Sequence, residues 1–112
     1  MPAINKILCA VDFSDSSSKV AAYAHSMAKA FEAEVIVLYA APSLSQYVGF
    51  HVPPNSIDSF VSEIVTGAEK TMDGYVKEHF EDCKASGKVV TGYAAEEILS
   101  AAEELDVDMI VM

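Results

Sequence analysis

The residues best suited to chemistry are a carboxylate and a cluster of hydroxyls that follow the first apolar segment. Residues 7–11 are all apolar, which is typical of a strand buried on both faces. Asp12 comes next, and Ser14, Asp15 and three further serines then begin a helix. At the end of a central parallel strand, a carboxylate lies where open α/β sheets bind ligands. Asp12 could accept hydrogen bonds from a ligand, or it could satisfy free amides at the helix start.

Other reactive side chains are not spaced for catalysis or metal binding. Cys9 and Cys83 share no metal or redox spacing, and Cys9 is predicted to be a buried, reduced thiol. His25, His51 and His79 have no carboxylate or cysteine at ligand spacing, so no metal site is predicted. The serine cluster lacks a nucleophile elbow. We therefore predict no catalytic residue.

The composition describes an acidic, globular chain that forms a single domain over residues 1–112. Apolar residues make up 52% and charged residues 21%, as in folded proteins. Seventeen acidic residues oppose seven basic ones, all lysines, and the net charge is −10. Such a surface repels nucleic acid and anionic membranes, so neither is an expected partner.

No targeting or membrane-spanning segment is predicted. No apolar stretch approaches the roughly 18 residues needed to cross a bilayer. The N-terminus carries one early lysine and then a strand, without a cleavage site, and we interpret it as mature. Two unpatterned cysteines fit a reducing compartment, which predicts a cytoplasmic protein.

Apolar runs and helical periodicities alternate along the chain, which predicts a parallel α/β sheet. The predicted strands are residues 7–11, 35–40, 88–92 and 109–112, and the predicted helices are 14–31, 56–83 and about 95–105. Ser14 is predicted to cap the first helix. The apolar stripes predicted to face the sheet are Val20, Ala24, Met27 and Phe31 in the first helix; Ile57, Phe60, Val61, Ile64, Ala68, Met72, Tyr75 and Val76 in the second; and Ala95, Ile98, Leu99, Ala102 and Leu105 in the third.

A long connection over residues 41–55 leaves the same edge of the sheet as Asp12. Loops of this length often act as lids. Its side chains Tyr47, Phe50 and His51 could cover a ligand, or they could anchor the loop to the body of the domain.

Two stretches resemble the universal stress protein family. Residues 5–14, Asn-Lys-Ile-Leu-Cys-Ala-Val-Asp-Phe-Ser, resemble its opening strand and turn. Residues 96–99, Glu-Glu-Ile-Leu, and 103–112 resemble its third helix and fourth strand. The resemblance implies an open, Rossmann-like parallel sheet with strand order 3-2-1-4. The family's phosphate-binding glycine loop, fourth helix and fifth strand would follow Met112, and we interpret the chain as a C-terminally incomplete domain.

The same resemblance implies a set of ligand residues. Ala10 and Ala40 match positions that line the family's adenine slot, and Asp12 matches an aspartate near the nucleoside. Met112 corresponds to the residue just before the glycine loop. Without the resemblance, the alanines would be packing residues and Met112 one more core methionine.

The expected function is regulatory binding rather than fast chemistry. The resemblance implies a stress-response protein that binds an adenine nucleotide, ATP or AMP, with Mg²⁺ possible beside ATP, and that forms a homodimer or a higher homo-oligomer. The alternative is the family branch that does not bind ATP and acts only through protein–protein contacts. A phosphoacceptor receiver domain is disfavoured, because the third strand ends Val90-Thr91-Gly92 without the required aspartate.

Overall fold

The computed structural model describes the backbone of residues 3–41 and 54–112, and the side chains of residues 3–41 and 62–112. Strands and helices alternate along the chain, as the sequence predicts. The elements are β1 (Lys6–Ala10), α1 (Asp15–Phe31), β2 (Glu34–Ala41), α2 (Pro54–His79), β3 (Ala85–Thr91), α3 (Ala94–Glu104) and β4 (Met109–Val111). Within these described ranges, no helix is long and apolar enough to cross a membrane.

The four strands form one sheet in the order β3-β2-β1-β4, and every neighbouring pair is parallel. The predicted strand order and α/β architecture are therefore confirmed. Cys9 pairs with Val37 of β2 on one side and with Val111 of β4 on the other. The order of the strands reverses between β1 and β4, so a crevice is expected at the carboxyl end of β1.

Alternate residues of β1 serve two separate cores. Ile7 and Cys9 are fully buried against α1 and α2, whereas Leu8 is fully buried on the opposite face, where α3 packs. The uninterrupted apolar run thus reflects burial on both faces, as predicted. The face covered by α1 and α2 holds the larger core, and it includes Met72 and Phe80.

The predicted inner face of α1 is partly wrong. Its buried residues are Ser17, Ala21, Ala24 and Ala28, whereas Met27 and Phe31 are 39% and 44% exposed. Apolar residues surround much of this helix, so periodicity alone left several stripes equally acceptable. The stripe of small residues lies inward, because small side chains let the helix approach the sheet closely.

The other helices agree more closely with their predicted faces. Ala68 and Met72 of α2 are buried as predicted, while Ile57, Phe60 and Val61 lie outside the described side chains. In α3 and at its C-cap, the residues packed on the sheet are Ile98, Ala101, Ala102 and Leu105. The predicted core residues Ala95 and Leu99 are both exposed, Leu99 to 66%.

The α2–β3 boundary also differs from the prediction. α2 ends at His79 rather than at residue 83, and β3 begins at Ala85 rather than at residue 88. Gly87 therefore lies inside a strand, paired with Val37, instead of ending a helix. A Cβ at this position would overlap the side chain of Met72, so glycine lets α2 pack closely on β3.

Candidate functional site

The most informative cavity lies at the carboxyl ends of β1 and β2, where the strand order reverses. Its volume is about 270 Å³. All four residues singled out in the sequence, Ala10, Asp12, Ala40 and Met112, line this one cavity. Ala10 and Ala40 are half-buried, Asp12 is exposed, and Met112 is 76% exposed. The fold thus brings together residues up to 102 positions apart in the sequence.

Asp12 belongs to a closed set of hydrogen bonds with the start of α1. Its backbone amide donates to Ser17 Oγ at 2.9 Å, and Ser17 Oγ donates back to Asp12 Oδ1 at 2.7 Å. The backbone amide of Ser14 also donates to Oδ1, at 3.0 Å. Hydrogen bonding by Ser14 and then by Ser17 lowers the pKa of Asp12 to about 2. The carboxylate is therefore ionised at neutral pH and held in one orientation.

Asp12 therefore accepts a hydrogen bond from a free amide at the start of α1, which is the structural role that the sequence analysis considered. The Ser14 amide and the Ser17 hydroxyl both donate to Asp12 Oδ1, so Oδ2 is the oxygen better placed to accept a hydrogen bond from a bound molecule. Ser14 is the N-cap residue, as predicted, but its side chain makes no capping hydrogen bond. Its carbonyl accepts from the amide of Ser17 at 3.0 Å instead.

Ser17 is a site residue that the sequence argument missed. It is 4% exposed and the one buried polar side chain among the described residues. The sequence presents it as one serine among several. Its spacing from Ala21, Ala24 and Ala28, on the inner face of α1, is the signal that could have identified it.

Aromatic packing fixes the turn that carries Asp12. Phe13 has a left-handed backbone with φ of 64°, which costs roughly 1–3 kcal/mol for a non-glycine residue. That conformation directs its ring onto Tyr39 and Tyr75, with ring centroids 4.8 and 5.4 Å away. The packing of Phe13 therefore fixes the turn in addition to its hydrogen bonds.

The neighbouring ionisable groups do not suggest catalysis. Cys9 is fully buried, and burial raises the pKa of its thiol to about 12, so it behaves as the inert apolar residue predicted. Burial likewise raises the pKa of Tyr75. The predicted loop side chains Tyr47, Phe50 and His51 lie outside the described residues.

At the opposite edge of the sheet, the fold assembles a second polar group. His25 of α1 meets Asp82 and Cys83, which lie in the turn between α2 and β3, and the ligating atoms are all within 4.8 Å of one another. Spacing along the chain gave no indication of this cluster, because 57 positions separate His25 from Asp82.

The chain has the open parallel α/β architecture, with a cavity at the switch point of its sheet. In proteins of this class, ligands bind outside the carboxyl ends of the strands. The sequence profile of the universal stress protein family matches residues 3–112. The chain therefore belongs to the universal stress protein family. Among curated proteins, no relative matches it.

Solved structures of other proteins share this fold at low sequence identity. Universal stress protein UspA from Lactobacillus plantarum is 18% identical with a TM-score of 0.78, over 99% of this chain and 77% of its own. The hypothetical protein MJ0577 is 24% identical with a TM-score of 0.74, over 97% and 73% of the two chains. A universal stress protein solved in complex with cAMP is 18% identical with a TM-score of 0.60, over 97% and 71%.

Proposed function

We propose that this protein is a cytoplasmic stress-response module that binds the adenosine part of an adenine nucleotide and acts through binding rather than fast chemistry. The observation that carries the proposal is the cavity at the strand switch point, bounded by two alanines and an ionised aspartate. The free thiols of Cys9 and Cys83 fit a reducing compartment.

The lining suits a nucleoside. The small side chains of Ala10 and Ala40 leave room for a flat ring, and backbone groups near the strand ends can read its edge. Asp12 Oδ2 can accept a hydrogen bond from a ribose hydroxyl or from an adenine amine, since both of these groups are donors. The solved relative in complex with cAMP supports a nucleotide as the ligand class.

Volume and charge favour adenosine over the phosphates. The cavity of about 270 Å³ lies just below the roughly 300–1,000 Å³ of most ligand pockets. The Asp12 carboxylate and the net charge of −10 both repel a triphosphate. We therefore expect AMP to bind better than ATP, and ATP binding to be weak.

Mg²⁺ would assist a bound ATP by offsetting phosphate charge. The cavity offers the oxygen ligands that Mg²⁺ prefers, the Asp12 carboxylate and the hydroxyls of Ser14 and Ser16. One such carboxylate and the phosphates would suffice, because Mg²⁺ commonly keeps several of its waters.

Calorimetry of AMP, cAMP and Mg·ATP binding to the 112-residue chain tests the proposal. Asp12→Ala should weaken AMP binding by about 10-fold or more, since hydrogen bonds to charged groups contribute roughly 1.5–3 kcal/mol. Asp15→Ala is the matched control, because Asp15 is exposed, carries the same charge and does not line the cavity. Equal affinities of the two variants would contradict the role of Asp12, and micromolar ATP binding would contradict the expected weakness.

The alternative is a module that acts only through protein contacts, as a homodimer or with another protein. It is supported by exposed apolar side chains around α3 and β4: Tyr93 is 54%, Leu99 66% and Met112 76% exposed. Light scattering over a range of protein and salt concentrations tests self-association. An oligomer that tightens with salt, together with no nucleotide binding, would favour this alternative, and a monomer under all conditions would exclude the homodimer.

A further inference from the structure

The cluster of His25, Asp82 and Cys83 joins two elements at the amino-terminal edge of the sheet. His25 Nε2 lies 2.7 Å from Asp82 Oδ1, and Cys83 Sγ lies 3.9 Å from the same oxygen. An imidazole nitrogen, a carboxylate oxygen and a sulfur thus converge on one point. The cluster is far from the cavity, since His25 is 11 residues beyond Ser14, or about 16 Å along α1.

The three atoms are close to the positions that a tetrahedral zinc ion requires. Zinc bonds of about 2.0–2.3 Å to nitrogen, oxygen and sulfur place two ligands roughly 3.3–3.6 Å apart. The nitrogen–oxygen distance of 2.7 Å must open. The oxygen–sulfur distance of 3.9 Å must close, and so must the nitrogen–sulfur distance, which is within 4.8 Å. Asp82 and Cys83 lie in a turn rather than in a helix or strand, so their side chains can make these adjustments.

The surroundings orient the carboxylate. Lys29 Nζ lies 3.2 Å from Asp82 Oδ2, which leaves Oδ1 directed at His25 and Cys83. Ligating carboxylates in zinc sites are commonly held through their second oxygen in this way. A hollow of about 330 Å³, lined in part by Lys29, Asp82 and Cys83, opens beside the cluster and offers an entry path. The net charge of −10 attracts divalent cations to the protein.

We propose that His25, Asp82 and Cys83 bind one Zn²⁺ ion, with water as the fourth ligand, and that the ion ties α1 to the α2–β3 turn. The side chain of Asp82 is 55% exposed, so its position leaves room for that water. On binding, the Cys83 thiol releases its proton to solvent and the sulfur bonds the ion, while His25 binds through the lone pair of neutral Nε2. The mixed nitrogen, oxygen and sulfur set favours zinc over Mg²⁺ or Ca²⁺, which prefer oxygen ligands alone.

The test is a titration of the reduced, metal-free chain with Zn²⁺ by calorimetry, and with Co²⁺ by absorption. We expect one Zn²⁺ per chain, a rise in melting temperature that a chelator reverses, and a sulfur-to-cobalt charge-transfer band. Mg²⁺ should give no comparable heat. Absence of Zn²⁺ binding, or a cobalt complex without the sulfur band, would overturn the proposal.

Variants identify the ligands. His25→Ala, Asp82→Asn and Cys83→Ala should each weaken Zn²⁺ binding by more than about 100-fold, since even outer partners of metal ligands contribute about 10–100-fold. His79→Ala is the control, because His79 is also half-buried but stacks on Tyr75, away from the cluster. Loss of the sulfur band in Cys83→Ala would assign it to Cys83 rather than to Cys9. Equal affinities of His25→Ala and His79→Ala would contradict the assignment, and a stable fold of His25→Ala by circular dichroism keeps that comparison valid.

Discussion

The β1–α1 turn and the α2–β3 turn each present an exposed aspartate whose pKa is lowered to about 2, but the causes differ. Hydrogen bonds from Ser14 and Ser17, which are neutral groups, stabilise ionised Asp12. Asp82 is stabilised first by its hydrogen bond with His25 and then by Lys29. The two turns lie at opposite edges of the sheet, so one protein holds two carboxylates ionised by two different means.

The difference bears on what each carboxylate can bind. Neutral donors orient Asp12 without cancelling its charge, which leaves a fixed anion facing the cavity. Asp82 is held by two side chains of α1, His25 and Lys29, and Lys29 offsets its charge. The network around Asp12 joins residues within five positions of one another and suits a rigid ligand site. The contact between His25 and Asp82 spans 57 positions and instead links two elements of the fold.

The largest expected effect is on the local network. Ser17→Ala removes the acceptor of the Asp12 amide and one donor to its carboxylate, and it should lower the free energy of unfolding by about 1–3 kcal/mol. Urea unfolding at neutral pH measures the loss. Ser18→Ala is the control, because Ser18 is exposed on the same helix. Equal stability of the two variants would show that the network does not stabilise the turn.

The two causes of the lowered pKa values can be separated by variants. In an NMR titration of the side-chain carboxyl carbons, Asp12 and Asp82 should both titrate near 2. Ser17→Ala should raise the pKa of Asp12 towards its ordinary value of about 3.9 and leave Asp82 unchanged. His25→Ala should raise the pKa of Asp82 and leave that of Asp12 unchanged. A variant that moves both values together would contradict the independence of the two turns.

Acid should destabilise the protein through both aspartates. Each pKa is lower in the folded state, so each stabilising contribution is complete above the unfolded value of about 3.9 and is lost as pH falls towards about 2. The free energy of unfolding should therefore decline more steeply between about pH 5 and pH 2 in the wild type than in Asp12→Asn or Asp82→Asn. A wild-type slope equal to that of both variants would contradict this assignment.

The sequence was sufficient for the sheet and for the cavity, but not for contacts between distant elements. Continuous apolar runs with helices between them predict a parallel topology, and the strand order implied by the family resemblance locates Asp12 at the switch point. The inner face of α1 was not determined, because several of its faces are apolar or small. Ser17 belongs to that face. The meeting of His25 with Asp82 depends on how α1 lies against the α2–β3 turn, which chain spacing does not encode.

The smallest expected effect is the response to salt, and it discriminates between a charged and a neutral partner. Screening shortens the Debye length to about 3 Å at roughly 1 M salt. Asp82 Oδ2 and Lys29 Nζ are 3.2 Å apart and half-exposed, so their attraction should weaken. The electrostatic field of the net charge of −10 works against the ionisation of both carboxyl groups. Salt screens this field, which on its own lowers both pKa values. The informative quantity is therefore the difference between the pKa of Asp82 and the pKa of Asp12. As salt is added, the pKa of Asp82 should rise relative to that of Asp12. Lys29→Met should reduce the relative rise, and a relative rise unchanged in that variant would show that Lys29 does not stabilise Asp82.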